Sequence, residues 1–145
     1  MSRATIKIKE LHRKLSDEEF EQAFANKSLR PGWFTHEAHL RLAFIHINKY
    51  GLEGAINHMR RQIKAFAENL GIYDKYHETV TIAAVYLVNE LMQGANKADF
   101  DQFMRSAGEP LKDFKKLLAQ HYSYDVFKDT QARKSFATPD LMPFI

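Results

Sequence analysis

Between two glycines, Gly51 and Gly71, the chain sets Leu52, Ala55, Ile56, Met59, Ile63, Phe66, Ala67 and Leu70 at three- and four-residue steps. That spacing returns an apolar side chain to the same stripe at every helical turn. The stretch is therefore a long amphipathic helix with a face that must be buried, closed by a glycine suited to a helix end. Nothing comparable favours strands. Ile6 and Ile8 alternate with lysines, but no second run pairs with them, and residues 1–14 are expected to form a mobile arm.

Other segments repeat the helical signature. Ser16 and Glu19 form a capping box with Leu15 and Phe20 as its hydrophobic staple, predicting a first helix from Asp17 to Asn26 that buries Phe20, Ala23 and Phe24. Pro31-Gly32 marks a loop. Thr35 is then the expected cap of a second helix running to Tyr50 and ending at Gly51. After Tyr76-His77-Glu78-Thr79, Val80 to Met92 is apolar on most sides apart from Asn89 and Glu90 and predicts a central helix. Asn96 and Asp99 frame a shorter helix stopped at Gly108, and Pro110 opens the next, with Leu111, Phe114, Leu117 and Leu118 on its buried face. Thr130 precedes a last short helical stretch, and Pro139 and Pro143 make the end an irregular wrap. The expectation is an all-α single domain over 1–145, an orthogonal or bundle-like packing of about five to seven helices.

Composition supports one sizeable core, since 45% of the 145 residues are hydrophobic and 12% aromatic. No cysteine is present, so disulfides and thiolate chemistry are excluded and any metal ligand must be N or O. The N-terminus has no signal-like apolar run, and Val80–Val88 is too short to span a bilayer, which reads as a soluble cytoplasmic protein. A formal charge of +3 spread along the chain, countered by Asp17-Glu18-Glu19, calls for neither nucleic acid nor membrane as a partner.

The chemistry centres on Phe34-Thr35-His36-Glu37-Ala38-His39-Leu40. At about 100° per residue, His36, His39, Ala43, His46 and Tyr50 share one stripe of the second helix, while Glu37, Arg41 and Asn48 fall on the opposite face. His36 and His39 can share one metal ion but need further ligands, and His77 at the start of the central helix is the candidate third. The spacing is one residue short of the zinc-peptidase H-E-x-x-H pattern, which excludes that reading. His46 is expected to be a satisfied core histidine. Trp33 and Phe34 sit where they can wall a pocket or staple the helix. Arg60, Arg61 and Lys64 read as a solvated helix face.

Three motifs, Phe34-Thr35-His36-x-x-His39-Leu40, Tyr76-His77-Glu78-Thr79-x-Thr81 and Pro139-Asp140-Leu141-x-Pro143, make the chain similar to a family of uncharacterised small bacterial proteins. The resemblance covers most of the chain and implies a bacterial, single-domain helical protein. It brings no biochemical function. It points to His36, His39, His77, Glu78, Thr79, Thr81, Arg133 and Asp140.

Two function classes follow. In the first, His36, His39 and His77 hold a divalent metal, zinc or iron, or a small anionic ligand. Glu37 or Glu78 then moves a proton, and Arg133 and Asp140 cover the site from the C-terminal wrap. In the second, the chain is a non-catalytic helical module that binds another protein through an apolar groove, its histidines being structural.

Overall fold

The structure, a computed structural model, describes residues 10–95 and 99–144. Residues 1–9 of the expected arm and the capping residue Asn96 lie outside the described residues, whereas Leu11–Lys14 of that arm are not a mobile end but a 3₁₀ turn with His12 fully buried. The described residues form six α-helices, α1 (Asp17–Ala25), α2 (His36–Asn69), α3 (Glu78–Met92), α4 (Phe100–Ser106), α5 (Phe114–Leu118) and α6 (Thr130–Lys134), and no strand. A 3₁₀ turn at Leu11–Lys14 precedes α1, and others lie between helices at Pro31–Trp33, Tyr73–Lys75, Glu109–Asp113 and Val126–Lys128. No helix among the described residues is long and apolar enough to cross a membrane.

Local chemistry accounts for the helix starts. The Ser16 hydroxyl accepts from the Glu19 N–H at 3.1 Å, and the Glu19 carboxylate accepts from the Ser16 N–H at 2.9 Å, as a capping box requires. The Thr35 hydroxyl accepts from the Ala38 N–H at 3.2 Å. The second and third expected helices meet at a kink in α2 at Gly51, where the helical backbone is broken. There φ is 76° and ψ 177°, a backbone open to glycine alone at little cost. The helix expected after Pro110 is instead a 3₁₀ turn followed by α5, so Leu111 and Leu118 are buried while Phe114 and Leu117 are only half-buried.

The core is one contiguous cluster that includes Phe20 and Phe24 of α1, Leu42, Ala55 and Met59 of α2, Val85 and Val88 of α3, and Phe103 of α4. The central helix α3 packs against both α2 and α6. Thr79 ties that last contact. Its hydroxyl donates to the Ser135 carbonyl at 3.1 Å and accepts from the Ala137 N–H at 2.9 Å, fastening the residues after α6 to the first turn of α3.

Candidate functional site

The predicted site residues separate into three places. His36 and His39 line a pocket of ≈ 380 Å³ with Leu40, Val80, Ala84, Phe114 and Phe127, and Lys112, Asp113 and Lys115 complete it. Thr35 does the capping at this helix start, so both imidazoles are free to meet tertiary surroundings. His36 Nε2 donates to the Leu111 carbonyl at 3.0 Å, and its ring stands edge-on to Phe114. The His39 ring stacks on Phe34, and its Nε2 is buried with no hydrogen-bond partner among the described residues. Burial, reinforced by the neighbouring His36, pushes the His39 pKa down to about 4, so the ring is neutral near pH 7.

His77 does not join them. It is the N-cap of α3, its Nδ1 accepting from the Val80 N–H at 3.2 Å, and its Nε2 donates to the Val126 carbonyl at 2.7 Å. Both ring nitrogens are spent, one as acceptor and one as donor, so no lone pair is left for a metal. The expected three-histidine centre is corrected on this ground. Glu78, one residue on, lines a separate cleft of ≈ 410 Å³ with Arg60, Lys64, Tyr73, Asp74, Tyr76, Arg133 and Lys134. Burial opposes ionisation of Glu78. Hydrogen bonds from Arg60 at 2.8 Å and from the Tyr76 hydroxyl at 2.6 Å nevertheless hold its pKa below the usual carboxylate range. Arg133 donates to the Asp74 carbonyl at 2.8 Å. Glu78 and Arg133, both predicted to act with the histidines, thus face a different concavity.

Glu37 belongs to the third place. Among the described residues one group has the composition and closeness of a metal shell: atoms of Glu10, His12 and Glu37 within 4.8 Å of one another. His12 is fully buried, and its Nε2 lies 2.7 Å from Glu37 Oε2. A cation bound there would need the Nε2 lone pair and hence a proton on Nδ1. Nδ1, however, faces the Arg41 guanidinium, which can only donate, at 3.2 Å. Arg13 also grips both Glu37 oxygens, at 2.6 and 2.9 Å. As it stands the cluster is an ion-pair and hydrogen-bond network, and burial offset by Arg13 and His12 keeps the Glu37 pKa low. Glu37 is therefore not free to act as a base.

The remaining expected contacts are structural. Trp33 packs against the core with the Arg30 guanidinium 6.0 Å from its ring centre and takes no part in lining the histidine pocket. Thr81 is buried in α3. Asp140 accepts from the Ser123 N–H at 2.9 Å and from the Ser123 hydroxyl, holding the C-terminal wrap. His46 departs from expectation: it is fully buried, yet neither ring nitrogen has a hydrogen-bond partner among the described residues, and burial pushes its pKa down to about 4.

Sequence reasoning missed His12 and the burial of Arg41, which it placed on the polar face. The i, i+4 pair Glu37 and Arg41 marked that face, but nothing in the sequence said that residues 10–17 fold over it. Arg41 there donates to the His12 and Leu15 carbonyls and to Asp17, each at 2.8 Å. Comparison of the chain with protein families, curated proteins and solved structures found no match.

Proposed function

We propose that this chain binds a small, largely apolar molecule bearing one anionic group in the pocket beside His36 and His39. The observation that carries the reading is His39. A buried imidazole nitrogen without a partner costs free energy that a ligand's polar group can recover, and the ring that carries it lines a pocket whose apolar side chains are flanked by His36, Lys112, Asp113 and Lys115. Phe114, Phe127, Val80 and Ala84 suit a ring-shaped body. Lys112, already paired with Glu109, and Lys115 outnumber the Asp113 carboxylate there and suit an acidic head, which would accept from a His39 Nε2–H. A carboxylate placed there favours the imidazolium and raises the His39 pKa from about 4.

The experiment uses 1-naphthoate as probe, followed by fluorescence and by NMR of the imidazole resonances. Saturable one-to-one binding is expected, with the His39 pKa rising in the complex. His39→Leu keeps the apolar wall but removes the anchor, and should weaken binding about tenfold, the equivalent of one hydrogen bond. Unsaturable binding, or equal affinity in His39→Leu, would refute the reading.

A further inference from the structure

We infer that the cleft between α2 and α6 is a second binding site, taking a dianionic phosphate group carried by a small organic molecule. It is separate from the histidine pocket. On α3 Glu78 faces the cleft whereas Val80 faces the pocket, as residues two apart on a helix point to nearly opposite sides.

Four cations and two carboxylates line this cleft. Glu78 is already matched by Arg60, whose Nη2 lies 2.5 Å from it, and by the Tyr76 hydroxyl. Lys64, Arg133 and Lys134 form no ion pair among the described residues. With Arg60 set against Glu78, the other three cations face a single carboxylate, Asp74, so the cleft keeps an excess of positive charge. A run of lysines on one helix face would spread into solvent, but these cations come from two elements more than sixty residues apart.

Their convergence is built. Arg133 spends one N–H on the Asp74 carbonyl, which fixes the guanidinium and leaves its remaining donors for a ligand. The end of α6 is fastened to α3 through Thr79, and Asp129 caps α6 by accepting from the Ala132 N–H at 2.9 Å. Lys64 lies 5.6 Å from the Tyr73 ring centre, so an aromatic wall stands beside the charges. A planar guanidinium with adjacent donors matches two oxygens of one phosphate, and flanking lysines add point charge, which favours a dianion over a monoanion. The Tyr73 ring gives the organic part of the ligand a surface to lie on.

Isothermal titration with inorganic phosphate and with phenyl phosphate, at ionic strength held constant with sodium chloride, tests this. Both should bind one-to-one, phenyl phosphate more tightly, and acetate at least tenfold more weakly. Arg133→Gln should weaken phosphate binding about tenfold, and Arg133→Lys should recover part of that by restoring charge without the fork. Lys134→Gln, at an exposed position, should weaken it severalfold and serves if Arg133→Gln proves unfolded by circular dichroism. Lys14→Gln, an exposed charge elsewhere, should change nothing. Equal binding of acetate and phosphate, or a loss in Lys14→Gln matching that in Lys134→Gln, would overturn the site. 1-Naphthoate binding to Lys134→Gln should match that of the unsubstituted protein, so the pocket and the cleft fail or stand independently.

Discussion

The starts of α2 and α3 carry the same residue type and use it in opposite ways. At α2 a threonine accepts from the Ala38 N–H, and His36 and His39, one and four positions past the cap, keep their rings for the tertiary surroundings. At α3 the imidazole is itself the cap: His77 spends Nδ1 on the Val80 N–H and Nε2 on the Val126 carbonyl. A histidine at the cap position is consumed by its own helix, while a histidine within the first turn is available. The pocket forms beside the second kind, and His77 stays outside it.

Removing His77 should have the largest effect. His77→Ala leaves the Val80 N–H and the Val126 carbonyl without partners and should cost about 2–3 kcal/mol, read from urea unfolding. His77→Asn, which can still cap, should regain about 1 kcal/mol. His39→Leu, replacing a buried nitrogen that has no partner, should be near neutral. If His39→Leu costs as much as His77→Ala, the contrast between the two helix starts is wrong.

The pH dependence sharpens the contrast. Unfolding returns His39 and His46 from about 4 to their ordinary value of 6.5, so below pH 6.5 the unfolded chain binds protons that the folded chain refuses. Stability should therefore be complete above pH 6.5 and fall as pH drops towards 4, with a slope of up to about 1.4 kcal/mol per pH unit for each histidine. Between pH 5 and 6.5, where carboxylates contribute little, His39→Leu should flatten the plot of urea midpoint against pH. An unchanged slope would mean that His39 is protonated in the folded protein or exposed. The smallest effect is expected at the other cap: Thr35→Ala should cost about 1 kcal/mol through the lost bond to the Ala38 N–H, seen as a lower thermal midpoint. A midpoint at the wild-type value would remove Thr35 from the comparison.

Most of the helices, the caps of α1 and α2 and the glycine break were legible because each rests on interactions within a turn or two. Ser16 with Glu19, Thr35 ahead of the histidines, and the three- and four-residue apolar steps between Gly51 and Gly71 are short-range patterns that a linear chain displays directly. For the same reason His36 and His39 could be placed on one stripe of the second helix, apart from Glu37 and Arg41. How the other predicted residues divide was decided by contacts across the fold. The carbonyl that takes His36 Nε2 is 75 residues away, the one that takes His77 is 49 away, and the one that takes Thr79 is 56 away. Arg41 lay on a polar face by periodicity, and it is buried because residues 10–17 cover that face with carbonyls and a carboxylate for its donors. Periodicity ranks faces by hydrophobicity and so cannot see a charge that is buried because it is paired. Which polar atoms find partners depends on where distant backbone arrives, and only the tertiary structure settles that.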